Sequence, residues 1–184
     1  THIKRIGHAG TLDPLASGVL VVGIGRAFTK QLTTEVAKEK EYVVTIKLGE
    51  SSTTYDAEGE KKIYVVEAVP TLDQISKALE SFVGVIKQMP PVFSSIKIKG
   101  KAMYKRARKS ADLLQFASLL QAREVEIKSV EVLEYAWPFL KLRVTTGPGV
   151  YIRSLAFDLG EVLKAGGYVF ELERTRVGEF TVLN

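Results

Sequence analysis

Residues 125–147 constrain the fold most. VEIKSVEVLEYAW (125–137) and FLKLRVTTG (139–147) both alternate apolar with polar side chains, the period of half-buried strands, and Pro138 alone separates them. YVVTIKLGE (42–50) and KKIYVVEAV (61–69) are two more strand candidates, and the turn formers SSTTYDAEGE between them predict a hairpin or meander. GVLVVGIG (18–25) suits a buried strand, and VFELERTRVGEFTV (169–182) reads as extended. The helical segments stand apart from these runs instead of alternating with them. RAFTKQLTTEVAKEKE (26–41) is one. In TLDQISKALESFVG (71–84), Thr71 and Gln74 have the spacing of a capping box, Leu72, Ile75, Leu79 and Phe82 form the apolar stripe, and Gly84 is placed to end it. After a break at QMPPVFSS, a third helix follows GPG at 147–149, with Ile152, Leu155, Leu159, Val162 and Leu163 on one side. Strand pairs mixed with separate helices predict an α+β fold with a mixed, mainly antiparallel sheet.

A chain of 184 residues with 46% hydrophobic and 26% charged residues suits one globular domain. No apolar run approaches the ~20 residues of a membrane span, and no signal peptide is visible. With no cysteine and only His2 and His8, disulfide and thiolate chemistry are excluded and no metal site is expected. The net charge of +5 leans toward a polyanionic partner.

Several short stretches carry chemistry, each with a plainer reading beside it. In GHAGTLDPLASGVL (7–20), Pro14 forces Asp13 toward extended geometry, while Gly7, Gly10 and Gly18 permit tight turns or close approach of a ligand. Asp13 is either an Asp-Pro turn acid or a carboxylate held out for reaction. His8 is a general base, half a metal site or a loop imidazole. GIGRAF lacks the third glycine of a dinucleotide fingerprint, and YDAEGE is a turn in preference to a calcium loop. KIKGKAMYKRARK (97–109) carries Lys97, Lys99, Lys101, Lys105, Arg106, Arg108 and Lys109 around Tyr104 with no acid, which is either a nucleic-acid surface or a solvated helix face. Tyr151 and Arg153 follow a flexible turn at a helix start. Arg153 is a surface cation or the partner of a carboxylate, and Tyr42 is core packing or a platform for a planar ligand.

In order along the chain, GHAGTLDPLASGVL, KEYVVTIKLGESSTTYDAEG with its Tyr42 and Asp56, QMPPVFSSIKIKGKAMYKRAR, GVYIRSLAFDLG and LERTRVGEF resemble the TruB family of tRNA pseudouridine synthases. The resemblance implies a bacterial-type, cofactor-free isomerase of uridine in tRNA, at uridine 55 of the T loop. It implies that Asp13 is a nucleophile toward ribose or ring, that Tyr42 stacks on the base and moves a proton, and that Arg153 pairs with Asp13. His8 would help displace the target base, and Tyr151 and Leu172 would line the uracil pocket, with Gly10 and Thr11 beside the substrate. The basic segment falls where the family grips RNA, so Lys97, Lys99, Lys101, Tyr104, Arg106 and Arg108 are the expected RNA contacts.

On this likeness residues 1–184 are a catalytic domain truncated at both ends, with a basic excursion at about 90–122. A KPxGxTS-type segment is expected to precede residue 1 and a PUA domain to follow residue 184. Ser110 stands where a glycine is usual, and Glu173 where a basic residue is common. A cytoplasmic monomer without membrane or metal is expected. Two alternatives are a guide-RNA-dependent ribosomal RNA synthase of the same superfamily and a non-catalytic RNA-binding or RNA-folding module.

Overall fold

The computed structural model describes residues 5–94, 96–98, 101–103 and 118–182. The first short strands are β1 (Ile6–His8), β2 (Ser17–Gly18) and β3 (Val22–Ile24), followed by α1 (Arg26–Ala37). The run 18–25 is therefore not one strand: β3 pairs antiparallel with β1, whereas β2 joins the main sheet. Next come β4 (Lys40–Leu48), β5 (Glu50–Ser52), β6 (Lys61–Ile63), α2 (Leu72–Glu80) and β7 (Gly84–Gln88). The rest comprises β8 (Lys97–Ile98), β9 (Lys101–Ala102), β10 (Arg123–Ala136), β11 (Phe139–Thr146), α3 (Ile152–Val162), β12 (Gly167–Val177) and β13 (Phe180–Thr181).

The main sheet runs β13-β12-β4-β11-β10-β7 with antiparallel neighbours, and β2 adds to β12 in parallel. The α+β, mainly antiparallel expectation holds. Along β4 burial alternates strictly, and Lys40, Tyr42, Val44, Ile46 and Leu48 face inward. Ile75, Leu79 and Phe82 from α2 and Ile152, Leu155 and Leu159 from α3 pack onto that face. Each such side chain, fully buried, contributes about 1.5–3 kcal/mol of transfer free energy. Both halves of the capping box at α2 form, between Thr71 and Gln74. Helix α3 lies hard on β12 because both sides are glycine: a Cβ on Gly160 would sit 2.2 Å from the Gly167 nitrogen.

Three expectations need correction. Only 61–63 of KKIYVVEAV is strand, and it pairs with β5; Val65 is 92% exposed, so β propensity without a partner strand did not extend the ladder. Val162 is exposed, because it closes the last turn of α3 beyond the reach of the sheet. Gly84, expected to end a helix, instead opens an edge strand, 84–88, that pairs with β10.

Candidate active site

Asp13 occupies the first position of a β-turn, with Pro14 next and the Ala16 amide donating to the Asp13 carbonyl at 2.9 Å. The turn reading is correct, and it leaves the side chain free to point elsewhere. That side chain meets Arg153, on the first turn of α3, in a two-pronged pair: Nε donates to Oδ2 at 2.9 Å and Nη2 to Oδ1 at 3.0 Å. The planar guanidinium matches both carboxylate oxygens, which fixes orientation as well as distance. The Asp13 side chain is 29% exposed against 5% for Arg153, so a buried cation presents a partly open acid.

Arg153 is itself held from several sides. It donates to the Thr54 and Phe93 carbonyls at 3.1 and 2.9 Å, and Nη1 lies 3.6 Å from Oδ2 of Asp56. Asp56 is buried and accepts from the Thr54 hydroxyl and the Glu58 amide. The turn that carries Asp56 is tied to the sheet by the Val169 amide, which donates to the Tyr55 carbonyl. A cation shared between two carboxylates loses less on burial than one facing a single charge.

Tyr42, Val44 and Leu172 are buried in the core on neighbouring strands, and Leu172 stands opposite Val44 while Arg174 stands opposite Tyr42. Burial pushes the Tyr42 phenol up, the nearby Arg174 guanidinium acts against that, and Asp13 adds to it. Tyr42 thus lies within the electrostatic reach of both Asp13 and Arg174. Tyr151 caps α3, and the Gln88 amide holds its backbone at both ends: Nε2 donates to the Tyr151 carbonyl at 3.0 Å and the Tyr151 amide donates to Oε1 at 2.8 Å. Burial raises the Tyr151 phenol as well, with Arg153 and Asp13 among its neighbours.

Gly10 and Thr11 enter through their backbone, since their carbonyls accept from Arg174 at 3.3 and 3.4 Å. His8 is exposed at the end of β1 and lines an open groove of about 650 Å³ with Arg5, Thr29, Leu32 and Val36. Asp13, Tyr42 and Arg153 are not among the residues lining that groove. Lys97 and Lys101 fall on the antiparallel pair β8–β9. Lys99, Tyr104, Arg106, Arg108 and Ser110 lie outside the described residues. No group of three or more potential metal ligands occurs among the described residues.

Asp13 and Arg153 thus meet across 140 residues of the chain, Tyr42 and Tyr151 lie within the electrostatic reach of Asp13, and Leu172 shares the buried core with Tyr42. Sequence reasoning missed three supporting groups: Asp56 as second acid on Arg153, Gln88 as the clamp on Tyr151, and Arg174. Asp56 sits among turn formers and Gln88 before two prolines, and neither pattern marks burial. Arg174 is 2% exposed inside a strand, where an arginine is ordinarily read as solvent-facing.

Comparison with known proteins identifies the family. Residues 1–152 match the TruB family pseudouridylate synthase N-terminal domain. The tRNA pseudouridine synthase B of Parabacteroides distasonis is 43% identical over 97% of this chain and 73% of its own length. That of Chlamydia abortus is 39% identical over 98% and 74%. Among solved structures, a Cbf5-Nop10-Gar1 complex superposes with a TM-score of 0.68 at 28% identity, covering 97% of this chain and 42% of the other. The family match over residues 1–152 and these relatives place the chain in the TruB family of pseudouridylate synthases.

Proposed function

We propose that this chain isomerises uridine to pseudouridine in tRNA, at uridine 55 of the T loop. The observation that carries the reading is the two-pronged Arg153–Asp13 pair opening beside Tyr42 and Leu172. The overall change breaks the N1–C1′ glycosidic bond, forms a C5–C1′ bond, removes the proton from C5 and leaves one on N1. Nothing is oxidised or reduced, and the reaction needs no group beyond acids, bases and a nucleophile.

The target base must leave its stack to reach a carboxylate recessed in a protein. Leu172 supplies an apolar face for the ring and Tyr42 a planar one, and Tyr151 borders the same pocket. Asp13, aimed by Arg153, is the nucleophile toward sugar or ring. Tyr42, whose phenol burial pushes up, is placed to hand a proton on or off the base. His8, on the exposed end of β1, helps displace the target base from the RNA loop.

Residues 1–184 form a catalytic domain, and the basic excursion at about 90–122, with Lys97, Lys99, Lys101, Tyr104, Arg106 and Arg108, grips the RNA backbone. The partner is the tRNA T-arm stem-loop, read mainly by shape. The protein acts as a cytoplasmic monomer, and among its described residues no helix is long and apolar enough to cross a membrane. The guide-RNA branch shares the fold at 28% identity, whereas the tRNA pseudouridine synthase B of Parabacteroides distasonis reaches 43%, which favours tRNA.

The test is incubation with an unmodified T-arm stem-loop, scored for pseudouridine by adduct mapping. The wild-type chain should form product and Asp13→Asn should lose at least about a thousandfold in rate. Binding by both with product from neither would leave an RNA-binding module and remove the enzyme.

A further inference from the structure

Arg174 belongs to no ion pair among the described residues, yet its side chain is almost wholly buried. A permanently charged group is seldom left in that position, because a guanidinium cannot shed its proton to escape desolvation. Its partners are carbonyls. Nε donates to Val19 at 2.8 Å, and the terminal nitrogens donate to Gly10 at 3.3 Å and Thr11 at 3.4 Å. These acceptors bracket Asp13, two or more residues before it and six after. The main chain repeats the grip, since the Val19 amide donates to the Arg174 carbonyl at 2.8 Å and Gly18 pairs with Arg174 in register. A Cβ on Gly18 would fall 2.2 Å from that carbonyl oxygen, so the loop lies against Arg174 as closely as backbone can.

Arg174 stands opposite Tyr42 in the β4–β12 register, and its positive charge favours the ionised phenol against the effect of burial. A guanidinium only donates. Toward Arg174 the phenolic oxygen can therefore serve only as an acceptor.

We propose that Arg174 is a positioning residue that sets two reacting groups at once: it fixes the backbone on both sides of Asp13 and directs the Tyr42 hydroxyl. Arg153 aims the carboxylate, and Arg174 aims the loop beneath it. The inference rests on the proposed isomerase reading for its kinetic part, and its spectroscopic part stands without that reading.

The experiment uses Arg174→Lys, which keeps a buried cation but loses the fork, and Arg174→Met, which removes the charge. The full chain is labelled with 3-fluorotyrosine, and the Tyr42 fluorine resonance is assigned by its loss in Tyr42→Phe. Titration should show the Tyr42 phenol ionising at higher pH in Arg174→Met than in wild type, with Arg174→Lys between them. In single turnover on the T-arm stem-loop, Arg174→Lys should lose about a hundredfold in rate while RNA affinity stays within about threefold. Its melting transition should remain cooperative. The pH at which the variant's rate is half-maximal should move in the same direction as the phenol.

If Arg174→Met fails to fold, Arg174→Lys alone decides. An unmoved Tyr42 resonance, or a rate loss with an unmoved pH profile, would overturn the proposal by reducing Arg174 to a structural strut. A wild-type chain that forms no pseudouridine would sink the isomerase reading instead, and the fluorine titration would still test the Arg174–Tyr42 coupling by itself.

Discussion

The two anchors of the Asp13 loop make an instructive pair. At the start of α3, Arg153 holds the acid through its side chain, charge against charge, with Asp56 as a second counter-ion. On β12, Arg174 holds the same loop through its backbone, charge against carbonyl dipole, with no carboxylate in reach among the described residues. Both guanidiniums are buried, at 4% and 2% exposure. The difference is in what each can control. An ion pair fixes where the carboxylate points, whereas carbonyl contacts fix where the chain runs and leave the carboxylate's charge to its other neighbour.

The sharpest way to break the comparison is Arg153→Met. It strands Asp56, which is buried, and it releases Asp13. We expect a loss of about 3–5 kcal/mol in urea denaturation, the size seen when one partner of a buried pair is removed. Turnover of the T-arm stem-loop should fall with it, by about a hundredfold or more, since Asp13 is no longer aimed. An unchanged midpoint would mean that solvent already compensates Asp56 and that the first anchor is not chiefly electrostatic.

Gly18→Ala attacks the second anchor without touching a charge. The residue has φ of 98°, and a Cβ there collides with the Arg174 carbonyl. Strain of this kind costs about 1–3 kcal/mol. The denaturation midpoint should drop accordingly and the turnover rate should fall, because the loop is displaced from β12. Wild-type stability in this variant would show that the backbone anchor is soft and that Arg174 has slack to follow.

These two variants also bear on how much of the molecule was legible in its sequence. Local signals read well: Thr71 and Gln74 announced a capping box, and the alternation in 125–137 and 139–147 announced the strands β10 and β11. Signals that need a distant partner did not. KKIYVVEAV has strong β propensity throughout, but only three of its residues found a ladder, and Ile63 is 78% exposed. Asp13 shows the same limit from the other side. Its turn was readable from Asp-Pro, and its pairing with Arg153 came only from family likeness, because 140 residues separate the two. Asp56, Gln88 and Arg174 lie inside the family motifs, but neither kind of signal gave their roles, since each matters through burial and partners that only the fold supplies.

Thr71→Ala serves as the control that separates stability from aim. It removes the side-chain acceptor for the Gln74 amide at the far end of α2, away from both anchors. A loss of about 1 kcal/mol is expected by thermal or urea melting. The T-arm turnover rate at a temperature well below melting should not change. If the rate falls in step with stability, the losses at Arg153 and Gly18 can no longer be assigned to aim.

The smallest effect belongs to Asp158, on α3 five residues beyond Arg153, whose carboxyl is pushed up from 3.8 to about 6 by burial, with Glu161 adding to the rise. The folded state therefore binds this proton more tightly than the unfolded chain does. Stability from the neutral acid is fully present below about pH 4 and is lost as pH rises toward 6, so at pH 7 the ionised group works against the helix. Asp158→Asn should raise stability at pH 7 by less than about 1 kcal/mol after solvent screening, and should flatten the melting temperature between pH 4 and 6. Because α3 also carries Arg153, a matching rise in turnover would show that helix strain reaches the first anchor. Greater stability with an unaltered rate would confine the strain to the outer turns, and would leave the aim of Asp13 to the guanidinium contacts alone.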